Sequence, residues 1–179
     1  MVAEIELVYE TEHLKIYPYH QQDFKDLSSL LSNPLINNAL GMPEFSSNFS
    51  KVKNFLNQIY RQKNNNYRWL LYSIYQKNDN RLIGGCGFKV DLIDNIAEIF
   101  FMLYPEEWGK GFMTEALYPL LNIIHHSFSL KEVQAFIFQD NIRAKRVIEK
   151  LGFTYCQTAA YNERLKRNIP VQKWILKLK

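Results

Sequence analysis

The sequence predicts a mixed α/β (α+β) fold, one twisted sheet of about seven strands with about four helices packed on it. Three observations predict this. Apolar residues alternate over several short runs, they recur at helical spacing over longer ones, and the two patterns interleave along the chain. The 179 residues are 47% hydrophobic and 15% aromatic, enough for one core of ordinary size, so residues 1–179 read as a single domain.

The elements follow in order. Leu14 to Tyr17 alternates as a first strand. Phe24, Leu27, Leu30 and Leu31 mark a helix, and Asn33, Pro34, Gly41 and Pro43 mark a loop after it. Ser50 is the expected N-cap of a second helix whose inner stripe is Val52, Phe55, Leu56 and Ile59. Arg68 to Gln76, Leu82 to Val90 and Ala97 to Tyr104 read as an antiparallel meander with turns at Asn78-Asp79-Asn80 and Asp91 to Asn95. Met113, Ala116, Leu117, Leu120, Leu121 and Ile124 line a long helix, in which Pro119 should remove one backbone bond and introduce a kink. Val133 to Phe138 is a strand, Ala144, Val147, Ile148 and Leu151 form a helix stopped by Gly152, and Phe153–Thr158 and Val171–Leu178 close the sheet.

Composition removes several classes of function. Lys plus Arg (22) against Asp plus Glu (18) leave +4, a bias toward anionic small ligands too weak for a nucleic-acid surface. Apolar runs such as Trp69 to Tyr75 fall far short of the roughly 20 residues a bilayer requires. The first residues carry acids rather than the basic region of a secretory signal, so a reducing cytoplasm is expected. Cys86 and Cys156 are far apart and the histidines lack ligand spacing, which argues against a disulfide scaffold and against a metal site.

The chemistry concentrates at Glu106-Glu107-Trp108-Gly109-Lys110-Gly111-Phe112-Met113, between a strand and the long helix. The first amides of a helix are unpaired and carry partial positive charge, so a Gly-rich turn there suits a phosphate or diphosphate. Gly111 stands where a Walker A loop needs Ser or Thr, and the preceding strands are antiparallel where a dinucleotide fold needs parallel ones. Asn141-Ile142-Arg143-Ala144-Lys145-Arg146-Val147-Ile148-Glu149-Lys150-Leu151-Gly152-Phe153 follows on the next helix.

Together these segments resemble the GNAT superfamily of N-acetyltransferases, in particular its RimJ/RimL-type branch. The branch pattern W-G-K-G-[YF]-x-T-E-A is matched from Trp108 to Ala116, and N-x-x-S-x-x-[VL]-x-E-K-L-G-F from Asn141 to Phe153, with Ala144 in place of Ser. Thr11-Glu12-His13-Leu14, Leu82-Ile83-Gly84-Gly85 and Ala97-Glu98-Ile99 add to the match along nearly the whole chain.

The resemblance implies a V-shaped gap between the fourth and fifth strands that takes acetyl-CoA as cosubstrate, without a metal. The pantetheine arm would meet strand backbone at Met102 and Leu103, and the diphosphate the amides of Trp108, Gly109, Lys110, Gly111, Phe112 and Met113. Asn141 would approach the pantetheine, and Lys145 and Arg146 the nucleotide phosphates. The acceptor, a small amine or a protein N-terminus, would attack directly within one ternary complex, with Asn33 to Asn48 and the second helix shaping its side. Homodimers are common in the family. Glu98 is the expected base, with Asp91 and Glu44 as weaker candidates. The family's usual acids, a Tyr or a Ser on the later helix, are replaced here by Ile148 and Ala144, which leaves Tyr155, Tyr161 or water. The alternative is a weakly catalytic acyl-CoA-binding module. Cys86 reads as a buried strand thiol rather than a nucleophile, and the glycines beside it as permitting a bulge or close backbone approach.

Overall fold

The structure is a computed structural model and describes residues 7–42, 45–46, 48–61, 66–159 and 170–178. In chain order the elements are β1 (Tyr9–Glu10), β2 (Leu14–Pro18), α1 (Phe24–Ser32), α2 (Pro34–Ala39), α3 (Phe49–Tyr60), β3 (Tyr67–Gln76), β4 (Leu82–Asp91), β5 (Ile96–Leu103), α4 (Phe112–Phe128), β6 (Glu132–Phe138), α5 (Ile142–Lys150), β7 (Thr154–Ala159) and β8 (Val171–Lys177). The eight strands lie in the order β1-β2-β3-β4-β5-β6-β8-β7. All neighbours are antiparallel except β5 and β6.

Two apolar cores cover the two faces of the sheet. Leu27, Leu30, Leu31, Ile36, Val52, Leu56 and Ile59 of α1 to α3 close on Leu71, Leu82 and Met102. Met113, Ala116, Leu117, Leu120, Leu121 and Ile124 of α4, with Ala144 and Ile148 of α5, pack on Ile83, Cys86, Phe88, Ala97, Ile99 and Val133. The alternation of β5 between these cores, Ala97, Ile99 and Leu103 against Phe100 and Met102, is the period-two pattern of its sequence. No described helix is long and apolar enough to cross a membrane.

Three elements differ from the sequence reading. Asn33 and Pro34 begin helix α2 rather than a loop: the Asn33 side chain accepts from Leu35 N, and Pro34 takes the first turn, where its missing N–H costs nothing. The cap of α3 is Asn48, whose Oδ1 accepts from Lys51 N at 3.1 Å, and Ser50 lies inside the helix. The two-residue β1 precedes the expected first strand, paired Tyr9 to Ile16 and Glu10 to Lys15. It is fastened to α4 by Tyr9 Oη donating to the Ala116 carbonyl and by Thr11 Oγ1 and His13 N donating to Glu115. Helix α4 continues through Pro119 as one element.

The glycines of β4 serve close approach. A Cβ on Gly87 would stand 2.2 Å from the Leu70 carbonyl oxygen and 2.4 Å from Phe100 Cζ, so the Phe100 ring lies across β4 where a side chain is missing. The register shift against β3 falls beside Gly84, with Ile74 opposite Gly84 and Tyr75 opposite Leu82. Gly87→Ala is expected to cost ~1–3 kcal/mol through overpacking, read as a Tm lowered by about 2–4 °C for each kcal/mol. An unchanged melting curve would show that Phe100 and β3 yield freely.

Candidate active site

Strands β5 and β6 pair at three positions only, Ile96 with Glu132, Ala97 with Val133 and Glu98 with Gln134. Beyond Glu98 each is held by its other neighbour, β5 by β4 up to Leu103 with Gly84, and β6 by β8 up to Phe138 with Val171. The two strands therefore diverge into a V with Glu98 at its apex. A cavity of about 1020 Å³ runs through it, walled by β5 and β6, the turn before α4, the first turns of α5, and α1 to α3 with β3 on the other side.

At the mouth of the V the chain passes through a 3₁₀ turn, Pro105–Glu107, into Trp108-Gly109-Lys110-Gly111. Gly109 has φ +80° and Gly111 φ +88°, the left-handed region that favours glycine. Gly111 is the N-cap of α4 and no side chain caps the first turn, so its amides remain available to a ligand. A Cβ at either glycine would meet nothing within 4 Å, so the turn opens onto space. Uncapped amides, a helix dipole and an open glycine cradle fit a diphosphate. Trp108 Nε1 donates to the Leu103 carbonyl at 3.0 Å and ties the turn to the end of β5.

The cations are distributed differently from expectation. Lys110 Nζ binds Glu107 Oε2 at 2.9 Å and its side chain is absent from the cavity wall, so its charge is turned to Glu107 rather than to a ligand. Lys145 is likewise outside the wall, whereas Arg143, Arg146 and Lys150 of α5 line it. The Arg143 guanidinium lies 4.8 Å from the centre of the Trp108 ring. Arg143 and Lys150 escaped the sequence reading because only their neighbours in space distinguish them from solvated helix positions. Asn141 lines the cavity and caps α5, its Oδ1 accepting from Ala144 N at 3.1 Å, which leaves its amide nitrogen to donate. The side chains of Met102, Leu103, Phe112 and Met113 are buried in the same wall.

Glu107 is 2% exposed and also binds Arg81 at 2.7 Å. Burial pushes its carboxyl up, but Arg81 and Lys110 outweigh it and hold the group below its ordinary 4.5. The stabilisation is therefore present above the ordinary carboxylate range and lost as pH falls through the lowered value. Glu107→Gln is expected to cost ~1–2 kcal/mol at pH 7, because both cations are half exposed. The difference in Tm from wild type should close under acid conditions; a gap independent of pH would show that the ion pairs contribute nothing.

Glu98 faces the α1–α3 side, like Phe100 and Met102 two and four residues on, and lines the cavity. It has no hydrogen bond or ion pair among the described residues, so its carboxylate is available to a proton. Lys89 is its cross-strand partner on β4 and lines the same cavity. Tyr155 stands elsewhere. It lies on β7, which β8 separates from β6 and so from the V, is 51% exposed, and stands edge-on to Trp174 with Oη 2.9 Å from Thr158 Oγ1.

The weaker candidates fall away on geometry. Asp91 Oδ1 accepts from Ile93 N and Asp94 N in a turn outside the cavity wall. Cys86 is fully buried, and burial pushes its thiol far up, which suits packing rather than attack. Glu44 and Tyr161 lie outside the described residues. Ile148 is fully buried and Ala144 has no hydroxyl, so neither replacement supplies an acid to the gap. Among the described residues no three His, Cys, Asp or Glu group to hold a metal.

Comparison with known proteins agrees with this geometry. The acetyltransferase (GNAT) domain family matches residues 13–154. The uncharacterized N-acetyltransferase YoaA of Bacillus subtilis (strain 168) is 25% identical over 150 residues, 82% of each protein. The structure of RimL, a ribosomal L7/L12 alpha-N-protein acetyltransferase in complex with coenzyme A, superposes with TM-score 0.82 at 16% identity, over 97% of this chain and 98% of that one. Spermidine N-acetyltransferase from Vibrio cholerae, in complex with CoA and spermine, gives 0.76 at 18% identity over 92% and 95%. With a sheet split after Glu98, an uncapped helix at its mouth and a family match over most of its length, this chain belongs to the GNAT family of N-acetyltransferases.

Proposed function

We propose that the domain binds acetyl-CoA in the V and acetylates a primary amine delivered from the α1–α3 side, by direct attack in one ternary complex. The observation that carries this reading is one continuous cavity joining the uncapped end of α4 to Glu98 through the sheet. Backbone amides of Gly109 to Met113 hold the diphosphate, Arg143, Arg146 and Lys150 supply positive charge, and the free amide nitrogen of Asn141 and the unpaired edge of β5 around Met102 and Leu103 hold the pantetheine arm. Acetyl-CoA supplies, when bound, the thioester whose acetyl carbon joins the amine nitrogen as the C–S bond breaks.

The chain's own part is to align the amine and take its proton. Glu98 accepts the ammonium proton, directly or through water, and returns it to solvent. The departing thiolate needs little help, since a thiol's unperturbed pKa is about 8.5, and water protonates it where Ala144 and Ile148 leave no side-chain donor. The test is release of free CoA thiol from acetyl-CoA over a panel of amines and N-terminal peptides. Amine-dependent release is expected; tight acetyl-CoA binding with no release on any acceptor would leave an acyl-CoA-binding module instead.

A further inference from the structure

The acceptor side of the cavity carries a continuous chain of aromatic rings. Phe45 and Phe55 lie 5.2 Å apart, Phe55 and Trp69 6.1 Å, and Trp69 and Phe100 5.8 Å between ring centres, and all four line the cavity. The strand registers show how the chain ends at the base. Trp69 pairs with Lys89 and Lys89 with Glu98, a row across three strands on one face; in the next row Gly87 stands between Leu71 and Phe100. The missing side chain at Gly87 is what lets Phe100 lie toward Trp69.

Charge on this wall is sparse. Glu98 and Glu107 are the carboxylates among the described lining residues, and Glu107 is neutralised by Arg81 and Lys110. Lys89 Nζ rests 4.6 Å from the Tyr67 ring and 5.8 Å from the Trp69 ring, with no carboxylate paired to it among the described residues. Among the described residues the chamber thus offers one unpaired carboxylate, one cation beside it, and an aromatic wall. We infer that the acceptor is a single primary amine borne on an aromatic or bulky aliphatic group, and that the site rejects polyamines. This rests on the reading of the α1–α3 side as the acceptor side. The ammonium pairs with Glu98 and the apolar body covers Phe55, Trp69 and Phe100, whereas a second ammonium would meet Lys89, with no further unpaired carboxylate among the described lining residues to receive it.

The experiment compares 2-phenylethylamine, a peptide with N-terminal Phe, and spermidine as acceptors, after titration calorimetry has measured acetyl-CoA binding. Turnover of the free amine or of the Phe peptide with kcat/KM about tenfold or more above spermidine is expected, and which of the two prevails names the source of the amine. Spermidine equal or better, or neither aromatic amine used by a chain that binds acetyl-CoA, would overturn the inference. Failure to bind acetyl-CoA would instead sink the transferase reading, and the aromatic preference is then read without it. Tryptophan fluorescence should respond to 2-phenylethylamine and not to spermidine in the wild-type chain, and the response should vanish in Trp69→Leu. A response that survives Trp69→Leu would count against the site. Lys89→Glu should narrow the gap between phenylethylamine and spermidine by about tenfold; an unchanged gap would remove Lys89 from the discrimination.

Discussion

Gly111→Glu should leave the chain folded while weakening acetyl-CoA binding by roughly 100-fold or more. The size follows from what the substitution does at the cap of α4. Two or more hydrogen bonds from backbone amides to a charged ligand are worth about 1.5–3 kcal/mol each, and a carboxylate at this position competes for those amides and repels the diphosphate. The cost to the fold is smaller. At φ +88° an L residue loses about 1–2 kcal/mol, and the new Cβ meets nothing within 4 Å, so no packing is disturbed. Gly111→Ala separates the two effects, because it carries the strain without the charge. Calorimetric titration with acetyl-CoA, alongside thermal melts of both variants, gives the answer. Wild-type affinity in Gly111→Glu would show that the diphosphate binds elsewhere.

Much of the architecture was legible because burial writes its own period into the sequence. The stripes of α1, α3, α4 and α5 and the alternation of β3 to β5 follow from two cores on one sheet. The misses share a cause: their signal is tertiary. Asn33 and Pro34 suit a turn and a helix start equally well, and only packing of Ile36 into the second core selects the helix. Strand β1 is too short to show a period and exists by its bonds to β2 and α4.

The site divides the same way. The glycine turn was readable because positive φ at Gly109 and Gly111 is a local demand. Of the expected cations Arg146 alone lines the cavity, since Lys110 is diverted by a buried Glu107 that Arg81 also binds from 26 residues away, and Arg143 is recruited by Trp108 across the V. Tyr155 stands away from the V for a topological reason: β8, later in the chain, inserts between β6 and β7.

Glu98→Gln should lower kcat by about 10²–10⁴-fold while leaving acetyl-CoA affinity and Tm close to wild type. The side chains are isosteric, and Glu98 has no ion pair among the described residues, so no partner is stranded by the change. The pH dependence is the sharper readout. An acceptor amine is an ammonium at neutral pH and must lose a proton before its nitrogen can form a bond. With Glu98 present that proton has a receiver beside the amine; with Gln it leaves only as free amine accumulates. The deficit of the variant should therefore be largest at low pH and shrink as pH approaches the amine's own pKa. A group that merely shaped the cavity would lower kcat by one factor at every pH. Parallel profiles for the two proteins would remove Glu98 from the proton's path and leave water at the apex of the V as the base.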